Sequence, residues 1–179
     1  SMDENKLSWY LAHHTEQSCA LHIEVGKQQC HLLNRQLQLV QSFTVSTAKN
    51  GISNQRNSNG TPSGLLSIAE RIGNEQPFGM RFIGRVPTGE IVVPEMDVPA
   101  NPMVGDYILT RILRLTGLEP GINLGGDVDT YDRYIYFHGT NEEYLIGSPV
   151  SHGCIRMRND DILSLFSLVN CGTPVLISN

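Results

Sequence analysis

Short runs in which apolar and polar residues alternate constrain the fold of this chain most. Leu21, Ile23 and Val25 are interleaved with His22 and Glu24. Successive side chains on a strand point to opposite faces, so a period of two marks a strand with one buried face. Gly26-Lys27 reads as a turn. Cys30 and Leu32, then Leu37 and Leu39 around a turn at Asn34-Arg35, predict two more strands, and Phe43, Val45 and Thr47 continue the pattern. Further strands are predicted at 65–69, 133–137 and 175–177. In 106–116, Tyr107, Leu109, Arg111, Leu113 and Leu115 share one phase, which favours a buried strand and leaves a short helix open. Many short strands with frequent turns predict a mostly β fold: a small sandwich or partly closed barrel with one or two helices.

One helix is predicted near the end. Asn159 or Asp160 can cap it, and Ile162, Leu163, Phe166, Leu168 and Val169 give an apolar face. Gly172 and Pro174 stop it. Residues 1–19 read as a polar N-terminal arm held down by Trp9, Tyr10 and Leu11, and 20–179 as the domain. His13 and His14, read as strand neighbours, face opposite ways. Asn, Ser and Gly make 49–64 a loop that ends in Thr61-Pro62-Ser63-Gly64. Residues 70–105 carry many prolines and glycines, Pro94, Pro99, Pro102 and Gly105 among them, around the apolar pieces Phe82-Ile83 and Ile91-Val92-Val93. They form an irregular insertion, either a lid or plain scaffold.

A chain of 179 residues, 40% of them apolar, is long enough for one core. The formal charge of −5 argues against nucleic acid as the main partner. No basic run or long apolar run marks a membrane surface patch or span. The four cysteines, Cys19, Cys30, Cys154 and Cys171, contain no CxxC pair, which argues against structural zinc. Asp127, Asp129 and Asp132 partly mimic a calcium loop, but the twelfth position is His138 where such a loop needs glutamate. No metal or organic cofactor is expected. Ser1-Met2 has the look of a tag remnant before a start residue. If Met2 starts the natural protein, the compartment is the cytoplasm; a trimmed leader would place it in the periplasm or facing the wall.

The chemistry gathers in 138–156. His138-Gly139-Thr140 is followed, after a turn-like stretch, by Ser151-His152-Gly153-Cys154-Ile155-Arg156. A free thiol is mostly protonated at neutral pH; positive neighbours or aligned N–H groups make it a nucleophile. His138 or His152 can take its proton, and Arg156 adds positive field. Gly153 allows a tight turn that points N–H groups at a substrate oxygen, an oxyanion hole.

This His-Gly-Thr, spacer, Ser-His-Gly-Cys-Ile-Arg pattern resembles the signature of the L,D-transpeptidase (YkuD-type) catalytic domain, and the resemblance runs over roughly 20–178. It implies a YkuD-like β fold with Cys154 as nucleophile, His138 as base and the Gly139 carbonyl orienting the base. The N–H groups of His152, Gly153 and Cys154 would hold the oxyanion. The implied substrate is a peptidoglycan stem peptide or muropeptide. A terminal D-amino acid leaves and a thioester forms on the cysteine, which a carbapenem is also expected to acylate. Arg156 is the foremost carboxylate clamp, with Arg133 and Arg111 behind it and Ser151 beside the nucleophile; a strut from Arg156 to Asp160 or Asp161 is the competing role. Because the chain shows no export signal and no wall-binding module, an L,D-carboxypeptidase that removes D-alanine in muropeptide recycling is the first expectation. Crosslinking transpeptidation is the second, and a non-catalytic stem-binding module the third.

Overall fold

The computed structural model describes residues 2–101 and 105–179, the side chain of Met2 excepted. Ser1 and Pro102, named above, lie outside the described residues. Ten strands follow one helix: α1 (Met2–His13), β1 (Cys19–Glu24), β2 (Gln29–Asn34), β3 (Leu39–Ser46), β4 (Gly64–Ile72), β5 (Met80–Ile83), β6 (Val86–Ile91), β7 (Ile108–Gly117), β8 (Tyr136–Gly139) and β9 (Ile155–Met157), then α2 (Asn159–Leu168) and β10 (Pro174–Ser178). The sheet order is β4-β10-β1-β2-β3-β9-β8-β7-β5-β6, and β4 also pairs with β7. Eight strands therefore close into a barrel, and the β5–β6 hairpin hangs outside the ring. Closure removes free edges within the ring. The mostly β expectation holds, in its barrel form.

The alternation sends one phase of each strand inward. Leu21, Ile23, Cys30, Leu32, Phe43, Val45, Phe137, Ile155 and Met157 meet in one buried cluster. The 106–116 segment is strand β7, buried along most of its length. β8 and β9 run parallel, pairing Phe137 with Ile155 and His138 with Arg156. Phe137 and Ile155 belong to the core. Tyr136, His138, Cys154 and Arg156 therefore share the opposite face, because side chains alternate along both strands.

Three expectations change. The N-terminal arm is a helix: Leu7 and Leu11, one turn apart, pack with Ala20, Leu65 and Leu176, whereas Trp9 stays 55% exposed. Leu7 and Leu11 hold the arm, because i and i+4 share a helix face; His13 accordingly lies at a helix end. In α2 the buried face is Ile162, Leu165 and Phe166, with Leu168 exposed. The N-cap of α2 is Arg158, without a side-chain cap bond; Asn159 is the first helical residue and its side chain turns inward.

Candidate active site

Strand β8 delivers His138 from its buried penultimate position. Its Nδ1 donates to the Gly139 carbonyl at 2.6 Å. A carbonyl can only accept, so Nδ1 carries the proton and Nε2 presents a lone pair. Burial lowers the His138 pKa, partly countered by Asp106. The imidazole is thus a neutral, pre-aligned base at neutral pH. Gly139 has to be glycine: a Cβ there would lie 2.3 Å from Asn159 Oδ1 and 2.7 Å from the Leu109 carbonyl.

Cys154 sits two residues behind Arg156 on the same face, and its Sγ accepts from the Tyr136 N–H and donates to the Tyr134 carbonyl, each at 3.4 Å. Tyr134 adopts a left-handed backbone (φ 56°). The cysteine packs against Met80, Phe82, Ile112 and Tyr136. Burial pushes its thiol up to about 12; the Tyr136 N–H, Arg156 and Arg133 pull the other way without prevailing. Burial of the sulfur thus works against the positive neighbours that the sequence suggested would acidify it. His138 and Cys154 are not hydrogen-bonded to each other among the described residues. They lie on one sheet face, Cys154 two residues before Arg156, the register partner of His138. Such pairs tighten when a substrate is bound.

The loop carrying the cysteine is bolted to the 47–61 segment. Ser151 N–H donates to the Thr47 carbonyl and Lys49 N–H to the Ser151 carbonyl. Thr61 Oγ1 donates to the Gly153 carbonyl at 3.0 Å and accepts from the Ala48 N–H at 2.9 Å. The Thr-Pro-Ser-Gly turn thus reaches the Cys154 loop directly. Gly153 has φ 127°, a conformation that favours glycine. Its N–H donates to Ser151 Oγ, and that hydroxyl donates to the Cys154 carbonyl at 2.6 Å. Of the three amides expected in the oxyanion hole, Gly153's is therefore occupied. Those of His152 and Cys154 make no hydrogen bond within the protein among the described residues.

Two expected substrate contacts are corrected. Ser151 is 1% exposed and braces the loop. Arg156 is 3% exposed, paired with Asp106 at 3.1 Å and Glu142 at 3.3 Å. Its partners are neither Asp160 nor Asp161, and its guanidinium is spent inside the protein. Arg111 is likewise buried, donating to the Gln76 and Thr110 carbonyls. Arg133 faces open space: with Arg56, Asn57, Asn59, Tyr134 and the exposed His152 it lines a cleft of about 260 Å³. Its guanidinium is fixed by the Ser53 and Gly60 carbonyls. A larger cavity, of about 590 Å³, lies elsewhere, beside α1.

Arg56 and Arg85 were not anticipated. Arg85, in the turn of the β5–β6 hairpin, donates to the Tyr136 hydroxyl at 3.0 Å and lies over the Tyr134 ring. It thereby reaches the two residues that hold the sulfur. No local pattern in 70–105 foretells this, since the partners are about fifty residues downstream. Asp129 explains the acidic loop: its carboxylate accepts from the Gly125 and Asp132 N–H groups, closing a turn.

Residues 20–177 match the family model of the L,D-transpeptidase catalytic domain, and the chain belongs to this YkuD family. It is 31% identical to L,D-transpeptidase YkuD of Bacillus subtilis over 115 residues, 63% of this chain and 58% of that protein. It is 47% identical to L,D-transpeptidase YqjB of Bacillus subtilis over 57 residues, 31% of this chain and 32% of the relative. The matches thus span less than two thirds of these relatives. Among solved structures, an L,D-transpeptidase from Mycobacterium smegmatis superposes with a TM-score of 0.53 at 15% identity, covering 90% of this chain and 59% of that one. L,D-transpeptidase 3 from Mycobacterium tuberculosis, in complex with a faropenem-derived adduct, gives 0.53 at 14% identity, with 90% and 60% covered. These likenesses establish the fold.

Proposed function

We propose that the chain transfers an acyl group from a peptidoglycan stem peptide to an amine of a second stem, through a thioester on Cys154. The observation that carries this is the neutral His138 imidazole, its tautomer locked on Gly139, on the sheet face that also bears Cys154. The sulfur attacks the carbonyl carbon of the stem's last peptide bond as His138 Nε2 takes the thiol proton. The N–H groups of His152 and Cys154 hold the oxyanion. The carbon–nitrogen bond breaks, and the leaving amine takes the proton from His138. The incoming amine then attacks the thioester, gives its proton to His138, and the thiol is restored. Arg133, with Arg56, supplies positive charge for the stem's carboxylates across the cleft.

The acceptor is the point on which the first expectation gives way. Nothing in the site favours water over an amine, whereas the relatives are named L,D-transpeptidases. The amine-acceptor reading puts the work at the cell wall rather than in the cytoplasm, which fractionation of the natural protein tests. Purified protein incubated with disaccharide tetrapeptide should yield a crosslinked dimer and free D-alanine by mass spectrometry. Tripeptide without dimer would make it a carboxypeptidase. Cys154→Ala should produce neither. A carbapenem should add its mass to Cys154; stem binding without any such adduct would leave only a binding module.

A further inference from the structure

The matched family segment begins at residue 20, and α1 precedes it. That helix lies on β10 and β4, and in the closed ring β10 is four strands from β9 in either direction. Between α1 and the barrel is a cavity of about 590 Å³, bordered by Asn5, Lys6, Trp9, Tyr10, Leu118 and Glu119. Trp9 is the only tryptophan and is more than half exposed, although Leu7 and Leu11 on the same helix are fully packed. His13 stacks on it with ring centroids 5.3 Å apart, and His14 lies tilted against it at 4.5 Å.

We propose that this cavity is a saccharide subsite that takes a pyranose ring of the glycan strand. Pyranoses carry an apolar face of C–H bonds and a rim of hydroxyls. The cavity offers the complement: aromatic and aliphatic surface from Trp9, Tyr10, Leu65 and Leu118, and polar groups, both donors and acceptors, from Asn5, Lys6, His14 and Glu119. Lys6 Nζ and Glu119 are paired at 3.0 Å, and Glu119 also accepts from the Leu65 N–H at 2.7 Å, so these two side chains are held in place. Placed across the barrel from Cys154, the subsite would hold the polymer while the stem is processed, raising its effective concentration. This use rests on the proposed peptidoglycan substrate; the saccharide binding itself does not.

The test uses the whole chain and a β-1,4-linked N-acetylglucosamine tetramer, which carries no peptide. Because Trp9 is the only tryptophan, its emission should shift saturably on titration. Retention on sacculi stripped of stem peptides should fall about fivefold to tenfold in Trp9→Ala, the range expected for losing one aromatic stack, and recover in part in Trp9→Phe. Turnover of a free tetrapeptide without sugar should be unchanged by either substitution. No emission change together with full retention of Trp9→Ala would overturn the subsite. Sugar binding in a protein that turns over no tetrapeptide would keep the subsite and discard the proposed reaction.

Discussion

At the scale of single residues, the site couples a thiol held protonated to an imidazole held neutral. The His138 pKa is lowered by burial, so its basic form survives to more acidic pH than an ordinary histidine's. The Cys154 thiol is raised to about 12, so no thiolate forms until strongly alkaline pH. Turnover should therefore show an acid limb centred below pH 6.5, and alkylation of Cys154 by iodoacetamide should keep rising past pH 9. An alkylation rate that levels off near pH 7 would contradict the buried thiol. Stability carries the same signs. A raised cysteine pKa means the folded state holds its proton more tightly, so stability is full below about pH 8.5 and declines as pH rises towards 12. A lowered histidine pKa means stability is lost as pH falls through 6.5, where the unfolded chain binds the proton first. The urea midpoint at pH 10 against pH 7 should drop less in Cys154→Ala than in the unaltered chain. The motif made Cys154, His138 and Gly139 legible as a set. The true partners of Arg156 were not legible, because Asp106 lies fifty positions upstream and only the barrel brings it close.

At the scale of elements, α2 and β8 are tied by one buried amide. Asn159 Nδ2 donates to the Thr140 carbonyl and to Glu143, its N–H donates to Glu143, and its Oδ1 accepts from Thr110. The sequence marked this asparagine as a helix cap, a fair inference from its residue type. What overrode it was tertiary: Thr140 and Glu143 come from the loop after β8, and Thr110 from β7. Asn159→Ala should cost about 3 kcal/mol in urea unfolding, the penalty for several buried polar groups left unpaired. Because the same amide abuts Gly139, kcat should fall as well; full activity would detach α2 from the alignment of His138. Strands β1 and β2 were legible because period two needs only neighbours; β7, buried on both faces, left a short helix open, and Leu37, read as strand, sits in a left-handed turn before β3. The β5–β6 hairpin was not read as a cover for the cysteine, because β6 is exposed on both faces and leaves no periodic trace.

At the scale of the whole molecule, the barrel supports two surfaces that answer to different residues. Leu7 is fully buried against the barrel's outer face. Leu7→Ala should lower unfolding stability by about 2–4 kcal/mol. The protein that remains folded should keep its reactivity towards a carbapenem, since the altered contact is across the ring from Cys154. The helix itself escaped the sequence reading because its composition is polar. Leu7 and Leu11 were its trace, two leucines one turn apart.

The ring shuts through β4 and β7, so each of its strands has a neighbour on both sides. Outside it, β6 runs along the rim of the hairpin, and Pro87 on that strand has no N–H to donate. Lengthening or shortening the turn at 84–85 therefore changes no barrel register. Natural or engineered diversity in what reaches over the sulfur can be written into those few residues, while His138 and Cys154 keep their places.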